Sequence, residues 1–296
     1  MNDADGNAFV DRTYRSEDGL SLHLRDYDPG PRAASRLPVI CLPGLTRNSR
    51  DFHQLAVILS QDDTAPRRVI SLDYRGRGLS DWDEKTENYN VRTEAQDVLA
   101  ACDYFGIEKA VFVGTSRGGL ILHFLAEMRP ELLAAAILND IGPEIEAKGL
   151  MRIRDDLNDG TSPQNRAEAV AMLKRRHGAH FSVLGDQDWE DMAAAIYREV
   201  DGRLAADADP AIAKQLTSID FSKPLPTLWR HFEAFGERPL MVIRGENSEL
   251  LAEAAAAEMT MRHPGLRVVV APGQGHPPLL HSEPALSCIR QLLNEI

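Results

Sequence analysis

A chain of 296 residues has room for one large α/β domain carrying an insertion. Hydrophobic residues at 43% and charged residues at 26% are the proportions of a globular protein with a full core, which excludes a disordered or fibrous chain. The 33 Lys and Arg against 45 Asp and Glu leave a net charge of −12, which argues against nucleic acid or an anionic membrane surface as partner.

Phe9–Tyr14 and Leu20–Tyr27 predict a hairpin, with Glu17-Asp18-Gly19 as its turn and Leu20, Leu22 and Leu24 in strand alternation. Pro29-Gly30-Pro31 ends it. The pattern then becomes strand, loop, helix, repeated. Val39–Leu42 and Val69–Leu72 are short continuous apolar runs, as expected of strands covered on both faces. Helices are predicted over Asp51–Ser60 and Thr93–Phe105, the latter ended by Gly106. Ala110–Val113 is a strand, Arg117–Met128 a helix stopping before Pro130, and Ala134–Leu138 a strand again. Such βα units imply a parallel sheet flanked by helices.

From Ile141 to Gly236 the rhythm breaks. The segment is polar, Ala-rich and helical in period, as in Arg166–His177 and Asp188–Val200, with no convincing buried strand. The βα rhythm resumes with the strand Leu240–Ile243, a helix over Leu250–Met261, the strand Leu266–Val270 and a helix over Pro284–Leu293. The expected organisation is therefore one α/β core from residues 1–140 and 237–296, with a helical cap of residues 141–236 inserted in it.

Cys41, Cys102 and Cys288 are odd in number and lack C-x-x-C spacing, so disulfide scaffolds and zinc sites are not expected. The start, Met1 to Asp5, shows neither basic nor apolar leader character. No apolar stretch approaches the roughly 20 residues that span a bilayer. A cytoplasmic protein is expected.

Chemistry enters at Gly114-Thr115-Ser116-Arg117-Gly118. This is G-x-S-x-G between a strand and a helix, the setting in which a nucleophilic serine occupies a sharp turn and needs small neighbours. Ser116 is the expected nucleophile. The N–H of Arg117, at the helix N-terminus, is placed to stabilise negative charge. The competing readings are a Gly-rich turn without chemistry or a phosphate loop. The lysine of a P-loop and the spacing of a dinucleotide fingerprint are both missing.

With these residues in view, the chain resembles the α/β-hydrolase superfamily over nearly its whole length. Asp73-Tyr74-Arg75-Gly76-Arg77-Gly78-Leu79-Ser80 resembles the family's D-x-R-G-x-G-x-S segment. Pro43-Gly44-Leu45 resembles its oxyanion loop, and Gly273-Gln274-Gly275-His276 the loop that bears its histidine. The resemblance implies His276 as general base and the backbone N–H of Leu45 as second oxyanion donor beside that of Arg117. Pro43 departs from the histidine that many relatives carry there. His281 and His123 are the less favoured histidines.

The triad acid has two candidates. Glu249 follows the strand Leu240–Ile243, where the superfamily commonly has Asp; Asp140 follows Ala134–Leu138, an alternative position in some relatives. Glu249 is the expectation, with Asp140 as alternative acid or cap anchor. Arg75 and Arg77 are read as loop ties, and Arg47 as a residue near the entrance that could meet an acidic substrate.

The resemblance implies a serine hydrolase that acts on a small or medium carboxylic ester or lactone without metal or organic cofactor. Its partner would be that small molecule, with no nucleic acid and no membrane; association into a homo-oligomer is left open. The alternatives are carbon–carbon bond hydrolysis by the same triad, a lyase or perhydrolase, and a non-catalytic ligand receptor on the same fold.

Overall fold

The computed structural model describes residues 8–296; the reading of Met1 to Asp5 lies outside them. In chain order the elements are β1 (Val10–Arg15), β2 (Ser21–Tyr27), β3 (Val39–Leu42), α1 (His53–Ser60), β4 (Val69–Leu72), α2 (Val91–Tyr104), β5 (Ala110–Thr115), α3 (Arg117–Met128) and β6 (Leu133–Asn139). Then follow α4 (Ala147–Asn158), α5 (Arg166–His177), α6 (Asp186–Ile196), β7 (Tyr197–Val200), β8 (Arg203–Ala206), α7 (Pro210–Thr217) and α8 (Trp229–Glu233). The chain closes with β9 (Leu240–Gly245), α9 (Glu253–Arg262), β10 (Arg267–Ala271) and α10 (Ala285–Asn294).

Eight strands form one sheet in the order β1-β2-β4-β3-β5-β6-β9-β10. The β1–β2 and β2–β4 pairs are antiparallel and the other five are parallel. The mostly parallel sheet and its flanking helices are those expected from the apolar runs. Alternation along each central strand feeds two cores. Ile40, Leu42, Ile70, Phe112, Leu138 and Val242 face α2, α3 and α9. Val39, Cys41, Val69, Val111, Ile137 and Ile243 face α1 and α10. Because neighbouring side chains point to opposite faces, a strand covered on both sides must be apolar throughout. That is why four residues such as Val39-Ile40-Cys41-Leu42 suffice to mark one.

The stretch between β6 and β9 has a small core of its own, in which Ala169, Val170, Leu173, Phe181, Trp189 and Ala193 pack α5 on α6. It is not wholly helical. The helix expected over Asp188–Val200 ends at Ile196, and β7 and β8 form an antiparallel hairpin. Asp201 (φ 51°) and Gly202 (φ 74°) close it. An Asp-Gly pair with both residues at positive φ is the turn whose twist suits a two-residue hairpin loop. The two strands are largely exposed, so no buried apolar run announces them.

No helix among the described residues is long and apolar enough to cross a membrane.

Candidate active site

Ser116 stands between β5 and α3 with φ 51° and ψ −112°, a conformation that costs a non-glycine residue about 1–3 kcal/mol and persists only where its surroundings enforce it. The enforcement is visible. The Ser116 N–H donates to Asn139 O at 3.0 Å, and its carbonyl accepts from Gly119 N at 2.9 Å. The turn also needs glycine on either side. A Cβ on Gly118 would lie 2.0 Å from Leu42 O, and one on Gly114 would lie 2.6 Å from Gly118 C. The serine is thus lifted off the sheet at the carboxyl ends of the strands, where ligands bind in open α/β sheets.

His276 comes from the loop after β10. Its Nε2 is 3.0 Å from Ser116 Oγ, and its Nδ1 is 2.8 Å from Asp140 Oδ2. A carboxylate only accepts hydrogen bonds, so Nδ1 carries the proton and Nε2 is left free to accept from the serine hydroxyl. Asn139 Nδ2 fixes this loop against the neighbouring strands, donating to Thr115 Oγ1 at 3.0 Å and Pro278 O at 3.1 Å.

Asp140 itself is fully buried, at φ 54° just past β6. A buried carboxylate must be supplied with donors. Besides His276 it accepts from Gly245 N at 2.8 Å through Oδ1 and from Ser248 Oγ at 2.6 Å through Oδ2.

Glu249 does not face His276, contrary to the expectation from its position. It turns outward, pairing with Lys148 at 2.7 Å and Arg152 at 3.1 Å. Hydrogen bonds from Lys148 and then Arg152 hold its carboxyl down at about 2, against a small opposing effect of burial. Ser248 takes the inward position in this turn, and its hydroxyl reaches Asp140, while the Glu249 carboxylate is drawn to the cations Lys148 and Arg152 of α4. Asp140 is the acid the structure brings to His276.

The loop after β3 runs beside the serine: a Cβ on Gly44 would lie 4.0 Å from Ser116 Cβ. Among the described residues, neither the backbone N–H of Leu45 nor that of Arg117 is taken by a hydrogen bond. Both expected oxyanion donors are therefore free.

The family model described as alpha/beta hydrolase fold matches residues 38–282, which include β3, the serine turn, segment 141–236 and the histidine loop. The chain belongs to the α/β-hydrolase fold family. A solved α/β hydrolase from Novosphingobium aromaticivorans superposes with a TM-score of 0.88, at 38% identity over 98% of this chain and 99% of that one. The 3-hydroxybutyrate-oligomer hydrolase of Cupriavidus necator is 32% identical over 87% of this chain and 88% of its own. The 2-(acetamidomethylene)succinate hydrolase of Mesorhizobium japonicum is 28% identical over 87% and 85%.

In this α/β hydrolase a cleft lies beside His276, lined among others by Arg152, Ile153, His177, Phe181 and Glu249. Its walls come from both parts of the chain. Ser182 N donates to Gly273 O at 2.9 Å and Asn247 Nδ2 to His180 O at 3.1 Å, so segment 141–236 leans on the histidine loop and on the turn after β9. On the other side Asn48 Nδ2 and Arg50 Nη2 each donate to Ala195 O at 3.0 Å, and Arg50 pairs with Asp207 at 2.6 Å.

The remaining sequence candidates resolve as follows. Arg47 is held by Asp51 through its Nε and Nη2, at 2.5 to 2.9 Å, rather than standing free for a substrate. Arg75 pairs with Asp18, Asp83 and Asp97. His281 approaches Asp188, not Ser116. His123 is buried, with Nδ1 on Gly119 O at 2.7 Å, and desolvation lowers its pKa to about 4. Among the described residues no group of three or more His, Cys, Asp or Glu could hold a metal ion.

Two residues that brace the site, Asn139 and Ser248, carry no signal in the sequence.

Proposed function

We propose that this chain hydrolyses a small or medium carboxylic ester or lactone through an acyl-enzyme on Ser116. The observation that carries the proposal is the chain Ser116 Oγ to His276 Nε2, 3.0 Å, and His276 Nδ1 to Asp140, 2.8 Å. In it His276 takes the hydroxyl proton as Ser116 Oγ bonds to the substrate carbonyl carbon. The oxygen of the tetrahedral intermediate takes up negative charge toward the N–H groups of Leu45 and Arg117, each typically worth about 10²–10³ in rate. The intermediate collapses, the carbon–oxygen bond to the alcohol breaks, and the alcohol leaves with the proton from His276. Water then gives a proton to His276 and attacks the acyl carbon; Ser116 leaves with that proton, and the carboxylic acid is released. Asp140 holds the imidazole in the required tautomer and balances its charge while it is protonated.

Segment 141–236 acts in this reading as a cap that sets substrate range, because it supplies much of the cleft beside His276. The similarity to an oligomer hydrolase of 3-hydroxybutyrate supports an ester of a small hydroxy acid as the first substrate to assay. Three unpaired cysteines, two of them buried, fit a reducing cytoplasm.

The test is turnover of esters graded in acyl and alcohol size, together with hydroxybutyrate oligomers, lactones and β-diketones. Ser116→Ala runs alongside, and a fluorophosphonate is mapped to its site of attachment. Ester turnover lost in the variant, with labelling confined to Ser116, is expected. Labelling of another serine, or full activity in the variant, would overturn the proposal. Turnover of the diketones alone would move it to carbon–carbon bond hydrolysis.

A further inference from the structure

Glu94 sits in the first turn of α2 with its side chain fully covered. Two guanidinium groups converge on it. Arg77 Nη1, itself fully covered, is 2.8 Å from Oε1 as an ion-pair contact, and Arg117 Nε donates to Oε2 at 2.6 Å. A carboxylate buried this deeply is tolerated only with such partners, and removing one partner of a buried pair typically costs about 3–5 kcal/mol.

Each guanidinium also reaches the segment that carries a free N–H beside Ser116. Arg77 Nε donates to the carbonyl of Leu45 at 2.8 Å, and Leu45 N–H is one of the two oxyanion donors. Arg117 N–H is the other, and the Arg117 side chain is spread between Glu94 and Tyr89 O, the latter at 2.9 Å. Arg77 has little freedom to do otherwise. Its Nη1 donates to Arg75 O at 2.7 Å, and its guanidinium carbon lies 5.6 Å from the ring centres of both Tyr74 and Tyr89. The loop after β3 and the start of α3 are distant in sequence, and this one carboxylate ties them together.

We propose that Glu94 is a positioning residue for the oxyanion hole. Through Arg77 and Arg117 it fixes the separation and direction of the Leu45 and Arg117 N–H groups. The proposal rests on the acyl-enzyme reading of Ser116. An ion pair that merely glued the core would affect stability, with no preference for the charged tetrahedral state. A positioning residue affects that state selectively, because misplacing a catalytic group by about 1 Å can cost about 10²-fold.

The experiment compares wild type, Glu94→Gln and Arg117→Met, the last keeping its backbone N–H while losing the side chain that reaches Glu94. For each, kcat and KM are measured on one ester, with the inhibition constant of an alkyl trifluoromethyl ketone, whose serine adduct carries the oxyanion. The rate of Ser116 phosphonylation and Tm complete the set. Expected is a fall of about 10- to 100-fold in kcat and a matching loss of ketone affinity, with KM within about threefold of wild type. Folded variants that lose only Tm, with kcat and ketone affinity within about threefold of wild type, would overturn the proposal. If Glu94→Gln does not fold, Arg117→Met decides alone. A wild type that fluorophosphonate fails to label at Ser116 would defeat the acyl-enzyme reading and this proposal together. A labelled, active wild type with unaffected variants would defeat this proposal only.

Discussion

Changing Asp140 to Asn tests the proposed proton relay at its most informative point. The substitution keeps shape and keeps an oxygen for Gly245 N, now 2.8 Å from Oδ1. The amide nitrogen then replaces Oδ2, which receives His276 Nδ1 at 2.8 Å and Ser248 Oγ at 2.6 Å. Ser248 Oγ, which already accepts from Leu250 N and Leu251 N, loses the acceptor for its hydroxyl. His276 cannot donate to an N–H, so it must shift its own proton to Nε2, the atom that faces Ser116. The wrong tautomer, with no carboxylate to balance the imidazolium, lowers kcat by up to about 10⁴, or about 5 kcal/mol of barrier. KM should stay within about threefold, since Asp140 is fully buried and does not line the cleft. Glu249→Gln is the control. Its pairs with Lys148 and Arg152 are partly exposed, and such pairs contribute about 0–1 kcal/mol to stability. Its kcat should stay within about threefold of wild type. Steady-state kinetics of both variants on one ester decide the matter. A larger loss in Glu249→Gln than in Asp140→Asn would refute the assignment.

Exhaustive chelation with EDTA should leave ester turnover unchanged; loss that a divalent ion restores would contradict a metal-independent mechanism. Ile153→Phe, which narrows the cleft from α4, should change the ratio of kcat/KM between long and short acyl esters at least about fivefold; an unchanged ratio would deny the insertion its part in selectivity. His123 gives a pH prediction. Its folded pKa lies at about 4, depressed by burial, against about 6.5 unfolded, so between these values the unfolded chain binds the extra proton. Stability is therefore lost as pH falls from 6.5 toward 4, by up to about 3 kcal/mol from this group. His123→Gln, which can still donate to Gly119 O, should flatten that limb in denaturant titrations across pH 7 to 4; an equally steep limb would show that other groups set it.

The sheet was legible because burial on two faces writes itself as unbroken apolar runs, and the serine turn because its glycines are demanded by contacts as short as Gly118 to Leu42 O. The β7–β8 hairpin was not, although Asp201-Gly202 was in plain view. Short exposed strands have no core to pattern them, and the helical period of α6 ran straight over them. The acid is hidden for a different reason. Position after β9 favours Glu249 and residue type favours Asp140, yet which side chain of the turn 245–249 points inward depends on a register that the sequence does not state. Ser248 takes that place and leaves Glu249 to Lys148 and Arg152. The interlocking of Glu94 with Arg77 and Arg117 joins three segments far apart in the chain, so only a charged residue on a core-facing helix position hinted at it.

Placing the acid beside the nucleophile, on adjacent strands β5 and β6, has an effect beyond proton transfer. The turn that follows β9 is left with two tasks. It holds its neighbours, through Ser248 to Asp140, Asn247 N to Gln274 O at 2.8 Å and Gly273 N to Glu246 Oε2 at 2.6 Å, and it walls the cleft through Asn247, Glu249 and Leu250. The side chains of Asn247 and Glu249 reach the cleft without a hydrogen bond to Ser116, His276 or Asp140. Variation at 247 and 249 can therefore explore new ligands while the relay stands, whereas in an enzyme whose acid stands in that turn the same changes would put both at risk. Random libraries confined to those two positions should accordingly contain a high fraction of active clones with altered preference; libraries in which activity is almost always extinguished would show that the separation is not real.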